Sequence, residues 1–202
     1  MGQGQGDALN RVADVLLAGT GLVLTSPILG AAALATKLDG GGPVLYRQKR
    51  VGKNGEDFEV LKLRSMVVGA ERLGAGVAVD QGDARITRVG RILRRTSIDE
   101  LPQLWNILRG DMSVIGPRPT LRYQVEQYDE SQRRRLAVRP GLTGWAQVHG
   151  RASLPWAERI ELDVWYVDHR SPRIDLEIML RTPLALFRGT YRGATGGWRR
   201  ES

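Results

Sequence analysis

A long uncharged stretch near the start of the chain restricts the fold more than any other feature. Residues 15–36, VLLAGTGLVLTSPILGAAALAT, contain no acidic or basic side chain. A helix of this length rises about 33 Å, close to the thickness of the hydrocarbon core of a bilayer. Its apolar residues occur all the way round, which disfavours a buried core helix, and the stretch is longer than the apolar part of a usual signal peptide. The sequence therefore predicts a membrane helix over residues 12–38.

Ser26 and Pro27 interrupt this stretch near its middle. A proline inside a helix removes one backbone hydrogen bond and clashes with the preceding turn, so it bends the helix. The carbonyl that loses its partner is costly in lipid unless the hydroxyl of Thr25 or Ser26, or packing against the rest of the protein, compensates. These residues are compatible with a kinked spanning helix and also with a re-entrant helix, which enters and leaves on one face of the membrane.

Residues 85–119 contain the strongest charge pattern, in which the acidic pair Asp99 and Glu100 follows a run of arginines. Apolar residues between the arginines predict an amphipathic helix with one positive side. Apolar residues after the acidic pair, with Gly110 as the stop, predict a second helix that begins at or just before the pair. The arginines are Arg85, Arg88, Arg91, Arg94 and Arg95.

The acidic pair has a structural and a functional interpretation. Ser97 and Glu100 match a capping box, and Asp99 as the N-cap would place Pro102 in the first helical turn, where its missing N–H costs little. A carboxylate kept ionised by a helix N-terminus and guanidinium groups also suits a metal ligand or a nucleophile toward phosphorus. The functional interpretation is favoured, because so many opposite charges exceed the needs of one helix cap.

The composition narrows the chemistry. A formal net charge of +8 over 202 residues indicates an anionic partner, which could be a phosphorylated substrate, an acidic membrane surface or nucleic acid. The lack of cysteine excludes disulfides, thiolate metal sites and thiol catalysis. The two histidines, His149 and His169, lie far apart in different contexts, which disfavours a zinc site. Any bound metal should therefore have oxygen ligands.

The segment 99–119, DELPQLWNILRGDMSVIGPRP, resembles the signature of the bacterial sugar transferases. These are the small monotopic phosphoglycosyl transferases, which pass a sugar 1-phosphate from a nucleoside diphosphate sugar to a polyprenol phosphate. Residues 48–52 and 62–66 are similar to two further family patterns, and so are residues 139–151, where His149 replaces the usual asparagine. The resemblance covers roughly residues 10–190 and favours the re-entrant helix, because the family carries a similar Ser-Pro break.

The resemblance also implies a mechanism and a site. Asp99 would attack the donor phosphate, UMP would leave, and polyprenol (undecaprenyl) phosphate would take the sugar phosphate from a covalent aspartyl intermediate. Mg²⁺ is implied, with Asp99 and Glu100 as ligands, and Glu100 could instead assist the acceptor. Arg118, between Pro117 and Pro119 on a stiff loop, would bind a phosphate. Further substrate-binding candidates are Lys62, Arg64, Arg88 and Arg95.

We expect an α/β fold that is mainly α. After a disordered N-terminus (residues 1–11) comes the kinked, re-entrant membrane helix (12–38). The cytoplasmic catalytic domain (39–190) has a short β-hairpin around Asn54-Gly55 and interfacial amphipathic helices, and a basic mobile tail follows (191–202). The expected location is a bacterial inner membrane, with the catalytic domain on the cytoplasmic face, in agreement with the positive residues that follow the helix.

The expected partners are a UDP-sugar donor, a polyprenol phosphate acceptor and an anionic phospholipid membrane, without nucleic acid. The sequence leaves a homodimer open and does not identify the sugar. One alternative is a membrane-tethered basic scaffold that binds phosphates or nucleic acid without catalysis. It explains the net charge but neither the acidic pair nor the proline in the membrane helix. A second alternative is a hydrolase that passes the phospho-aspartate to water.

Overall fold

The computed structural model describes residues 3–73, 83–150 and 154–187, and most of these residues are helical. The chain begins with one long helix, α1 (Gln3–Gly40). An antiparallel hairpin follows, formed by β1 (Leu45–Val51) and β2 (Asp57–Leu63). Asn54 and Gly55, in the connection between the strands, have positive φ values of 56° and 82°. The predicted hairpin with an Asn-Gly turn is therefore confirmed.

The rest of the described chain is built from shorter elements. A second small sheet pairs β3 (Ser113–Ile115) in parallel with β4 (Gly141–Thr143). The prediction of a mainly helical protein with a short hairpin is confirmed. The further helices in chain order are α2 (Arg88–Thr96), α3 (Gln103–Arg109), α4 (Arg122–Val125), α5 (Glu130–Arg133), α6 (Trp145–Val148), α7 (Trp156–His169) and α8 (Pro172–Phe187).

Helix α1 continues through Pro27, and a side chain replaces the hydrogen bond that the proline cannot make. Pro27 has no N–H, so the carbonyl oxygen of Val23 lacks its usual helical partner. The Ser26 hydroxyl donates to that oxygen at 2.8 Å, and the Thr25 hydroxyl donates to the carbonyl oxygen of Gly21 at 2.7 Å. The predicted compensation by hydroxyl groups is present in the structure.

The bounds of α1 differ from the predicted ones. The helix begins at Gln3, inside the segment predicted to be disordered, and ends at Gly40. Apolar residues such as Leu9 and Val12 continue the outer face of the helix toward its start, which extends the helical pattern. The predicted mobile tail, residues 191–202, lies outside the described residues.

Both halves of α1 contact the same folded domain. Before the proline, Ala18 is fully buried in a cluster with Leu104 of α3. After the proline, Ala32 packs against Leu63 of β2 and Leu93 of α2. Over Ala8–Gly40 the helix is nevertheless long and apolar enough to cross a membrane. Its outer face exposes the apolar side chains of Leu9, Val12, Leu16, Val23, Leu24, Leu34 and Leu38.

Two polar side chains fix the first half of α1 to the domain. Arg11 donates to the carbonyl oxygens of Ile107 and Leu108, at 2.5 and 2.7 Å, near the end of α3. Asp14 is buried and accepts a hydrogen bond of 2.8 Å from the backbone N–H of Val114 in β3. Carbonyls in the last turn of a helix lack partners within the helix, so Arg11 adds a donor at the Leu108 carbonyl and a second donor at that of Ile107, which also accepts from the N–H of Gly110.

Arg64 fixes the other end of α1. Its buried guanidinium lies where the helix ends, a position at which a positive charge offsets the unpaired helix carbonyls. All of its nitrogens donate within the fold. These bonds give Arg64 a structural role at this end of the helix, and its role as a substrate ligand stays a prediction. Its acceptors are the carbonyl oxygens of Thr36 (3.4 Å), Gly41, Pro43 (2.7 Å) and Met66 (3.2 Å).

Gly90 sets how closely α2 approaches the end of β2. A Cβ atom at this position would lie 1.9 Å from the carbonyl oxygen of Ser65. Backbone atoms cannot move aside as a flexible side chain can, so α2 could not keep its position with any larger residue there.

Replacing Gly90 with alanine should destabilise the protein by about 3 kcal/mol or more, because the overlap with the Ser65 backbone forces the two elements apart. Gly19→Ala, within α1, is the matched control. Nothing lies within 4 Å of its Cβ position, and alanine favours a helix over glycine by about 1 kcal/mol. Thermal unfolding of both variants in detergent measures the effect. A Gly90→Ala protein as stable as the wild type would contradict the described packing of α2.

Candidate functional site

The acidic pair lies in a short turn between α2 and α3. Helix α2 ends at Thr96, and Ser97 adopts a left-handed conformation with φ of 58°. Residues Ile98–Glu100 form a single 3-10 turn, and α3 begins only at Gln103. A helical turn therefore begins just before the acidic pair, as predicted, but it is a 3-10 turn and the α-helix starts later; Ser97 makes no capping bond with its side chain. Pro102 immediately precedes the first residue of α3, where a missing N–H costs little.

Glu100 connects this turn to two basic side chains from distant parts of the chain. Lys62 of β2 donates to Glu100 Oε1 at 2.8 Å. Arg118 donates to the same oxygen at 2.5 Å and to Oε2 at 3.4 Å. Burial alone would raise the pKa of Glu100, but Arg118 and Lys62 outweigh it and hold that pKa well below its usual range. Glu100 is therefore ionised at neutral pH.

Asp99 has a different environment from its neighbour. Its side chain is buried, with 7% of the residue exposed, and none of the described residues donates a hydrogen bond to its carboxylate. Burial raises the pKa of Asp99, and the charge of Glu100 adds to this effect, while Lys62, Arg94 and Arg118 act against it. The prediction that basic neighbours keep this carboxylate ionised thus fits Glu100 better than Asp99.

The loop that carries Arg118 is held in place from several directions. Pro117 and Pro119 restrict its backbone dihedral angles, so they shape the loop as predicted. Hydrogen bonds from other segments then fix the peptide groups. The acceptors are consecutive carbonyl oxygens: Pro117 from the N–H of Gly141 (2.9 Å), Arg118 from Arg135 (3.0 Å), Pro119 from Arg50 (3.3 Å) and Thr120 from the N–H of Val51 (2.9 Å).

Arg50 and Arg159 extend the positive region around Arg118. Burial lowers the pKa of Arg50 to about 10, and the nearby charge of Arg118 adds to the effect. Burial also lowers the pKa of Arg159, again with a contribution from Arg118. Cations that disfavour one another's charge create a site that a bound anion would stabilise. The sequence analysis missed Arg159. Its spacing of four residues from Asp163 in α7 would have placed the two side chains on the same face of that helix.

Two other predicted substrate-binding residues, Arg88 and Arg95, are exposed on α2. Arg88 is exposed at the start of α2, where its charge acts on Asp39 at the end of α1. Arg95 is also exposed on α2. Its neighbour Arg94, which was not among the predicted ligands, is the one whose charge acts on Asp99. Adjacent residues of a helix point about 100° apart, so only one of the two can face the acidic pair.

One carboxylate of the acidic pair is better placed to bind a magnesium ion than both carboxylates together. Mg²⁺ is usually held by one or two carboxylates together with substrate phosphates and water. Asp99 offers a carboxylate without a donor from the described residues, whereas both oxygens of Glu100 accept bonds from Lys62 and Arg118. Across residues 3–73, 83–150 and 154–187, no group of three acidic or histidine side chains has the geometry of a metal site.

The sequence of this chain is similar to a protein-family model and to several known proteins. The family model described as "Bacterial sugar transferase" matches residues 5–189. The uncharacterized sugar transferase EpsL of Bacillus subtilis is 43% identical, over 86% of this chain and 85% of its own length. The UDP-glucose:undecaprenyl-phosphate glucose-1-phosphate transferase of Caulobacter vibrioides is 48% identical, over 87% of this chain and 68% of its own length.

A further relative is longer than this chain. The UDP-N-acetylgalactosamine-undecaprenyl-phosphate N-acetylgalactosaminephosphotransferase of Aeromonas hydrophila is 43% identical, over 90% of this chain but only 44% of its own length. The family match covers almost the whole chain, including the acidic pair and the Arg118 loop. The chain therefore belongs to the bacterial sugar transferase family.

Proposed function

We propose that this protein transfers a sugar 1-phosphate from a UDP-sugar to a polyprenol phosphate such as undecaprenyl phosphate, with release of UMP. The product would begin the membrane assembly of a glycoconjugate or exopolysaccharide. One observation carries the proposal: a buried carboxylate, Asp99, lies beside a cluster of cations held by Glu100. The relatives from Caulobacter and Aeromonas, whose names describe such transfers, support it.

The reaction would proceed in two displacements at one phosphorus atom. A carboxylate oxygen of Asp99 attacks the phosphorus that is bonded to the sugar, the bond to the UMP oxygen breaks, and UMP leaves with the electron pair. An oxygen of the polyprenol phosphate then attacks the same phosphorus, and the Asp99 carboxylate is released. The aspartyl phosphate between the two steps is a mixed anhydride, which is reactive enough for the second transfer.

The cations would bind the diphosphate and stabilise the charge that develops on UMP. Arg118 suits this role, because a planar guanidinium can donate two parallel hydrogen bonds to a phosphate. Lys62, Arg50 and Arg159 would add positive charge, and Glu100 would hold Lys62 and Arg118 before the donor arrives. Mg²⁺ held by Asp99, and by Glu100 if it releases a cation, would supply neutralisation of the diphosphate charge.

Helix α1 supports a monotopic arrangement, in which the helix is re-entrant and lies on the cytoplasmic side of the membrane. The two ends of a spanning helix would lie on opposite sides of the bilayer, separated by a hydrocarbon core of about 30 Å. In this structure both halves of α1 pack on one domain, through Ala18 and Ala32, while the opposite face exposes apolar side chains. Since α2 and α3 contact α1, the Asp99 turn between them would lie close to the lipid headgroups.

Helix α8 would provide a second contact with the membrane. Leu176, Leu180 and Leu184 recur at four-residue spacing and are 60%, 72% and 53% exposed. Arg173 and Arg181 lie beside this stripe in the sequence. A helix with an apolar stripe and adjacent arginines suits the boundary between anionic headgroups and acyl chains. This supports the proposal that α8 is an interfacial helix.

Replacing Asp99 with asparagine should lower transfer at least about 1000-fold, because the amide keeps the size of the side chain but cannot form the acyl phosphate. Membranes with radiolabelled UDP-sugars would measure this as movement of label into the organic phase and as release of UMP. Asp57→Asn is the control, since Asp57 is an exposed partner of Arg122. Normal turnover by Asp99→Asn would exclude the proposed nucleophile.

The same assay separates the alternatives. A hydrolase would leave labelled sugar phosphate in the aqueous phase, and a phosphate-binding scaffold would release no UMP. Either outcome with the wild-type protein would contradict the proposed transfer. A panel of UDP-sugars in this assay would also identify the donor.

Single cysteines should show both ends of α1 on the same side of the membrane. The chain has no cysteine, so Asn10→Cys, Lys37→Cys and, as a reference for the domain, Glu56→Cys each introduce one thiol at an exposed position. A membrane-impermeant maleimide should label all three in inside-out vesicles and none in intact spheroplasts. Labelling of Asn10→Cys from the opposite side to Glu56→Cys would show that the helix spans the bilayer.

A further inference from the structure

A buried ion pair beneath the Arg118 loop has no part in the chemistry described above. Arg135 pairs with Asp163 of α7, and both side chains are only 4% exposed. Arg135 also donates to the hydroxyl oxygen of Tyr128 and, at 3.0 Å, to the carbonyl oxygen of Arg118. The Arg135 guanidinium thus connects helix α7 and Tyr128, which follows α4, to Arg118, the residue proposed to bind the donor.

The contacts of Arg135 fix the orientation of its guanidinium more than they stabilise the folded protein. Burying two opposite charges costs solvation that can equal or exceed their attraction, so a buried ion pair is weak evidence for stability. A guanidinium is planar, however, and its N–H groups point in fixed directions. Asp163 and Tyr128 hold Arg135 in its position, and another of its N–H groups then meets the Arg118 carbonyl.

We propose that Arg135 and Asp163 are positioning residues for Arg118. They hold the peptide group of Arg118 so that its side chain meets Glu100 and, in the complex, the donor diphosphate. Arg50 binds the next carbonyl, that of Pro119, and supports the same loop from β1. The inference rests on the proposed role of Arg118 in binding the donor.

Replacing Arg135 with lysine tests the positioning role. Lysine keeps the positive charge opposite Asp163, but an ammonium group lacks the planar fork that meets three acceptors in fixed directions. A displaced Arg118 should raise the KM for the UDP-sugar about tenfold, with a smaller change in kcat. A purely structural role would lower the amount of folded enzyme and leave its KM unchanged.

A neighbouring ion pair supplies the matched control. Arg134 and Asp168 also connect the segment after α5 to α7, but this pair is more exposed, with side chains 55% and 28% accessible. The variants Arg134→Lys and Asp168→Asn should leave KM and kcat unchanged. A rise in KM in these variants equal to that of Arg135→Lys would overturn the inference. It would show that KM responds to any weakened contact between this segment and α7, and not to the bond between Arg135 and Arg118.

A double-mutant cycle with Arg118→Ala separates this inference from the function on which it rests. Arg118→Ala alone should raise KM at least as much as Arg135→Lys, and the double variant should be no worse than Arg118→Ala, because Arg135 acts through Arg118. Independent effects that multiply in the double variant would overturn the positioning role. An unchanged KM in Arg118→Ala would instead contradict the proposed donor-binding role of Arg118.

Tyr128→Phe repeats the cycle with a milder change. It removes one acceptor of Arg135 and a 3.3 Å hydrogen bond to the Thr120 hydroxyl, but it keeps the ion pair, so the protein should fold even if Arg135→Lys does not. Loss of the hydrogen bond from the charged guanidinium should raise KM about threefold in the wild-type background and leave it unchanged in the Arg118→Ala background. An unchanged KM in the wild-type background, or the same rise in both, would overturn the inference.

Discussion

The contact of Glu100 with Lys62 and Arg118 is the interaction on which the rest of the site depends. It brings together the turn after α2, strand β2 and the loop after β3, which are separated by 38 and 18 residues along the chain. Lys62 and Arg118 hold the pKa of Glu100 well below its usual range, while burial raises the pKa of Asp99, which has no hydrogen-bond donor among the described residues. Two adjacent acids of similar chemistry therefore have different electrostatic environments, which their surroundings determine.

The second constraint is the position of α1. Arg11 and Asp14 fix one end of the helix, and Arg64 fixes the other, so the apolar outer face is directed away from the domain. Apolar surface of this extent is stable when lipid covers it. A reaction whose acceptor cannot leave the bilayer needs its nucleophile near the surface, and the packing of α1 against α2 and α3 would supply this proximity.

The sequence predicted the parts of the fold and site that depend on local pattern. The long apolar helix, the Asn-Gly hairpin and the hydroxyl compensation for Pro27 follow from periodicity and backbone chemistry, and the structure contains all three. The structural role of Arg64 could not be predicted, because a guanidinium that binds carbonyls and one that binds phosphates look the same in a sequence. The pair of Arg135 and Asp163, separated by 28 residues, depends on tertiary packing that no local pattern reveals.

The most direct test of the account is the mass of the intact protein after it is mixed with its UDP-sugar in the absence of an acceptor. A fraction of the chains should gain the mass of one phosphosugar, on the peptide that contains Asp99, and should lose it when polyprenol phosphate is added. A chain that turns over without a covalent adduct, or that carries the adduct on another residue, would contradict the central role of Asp99.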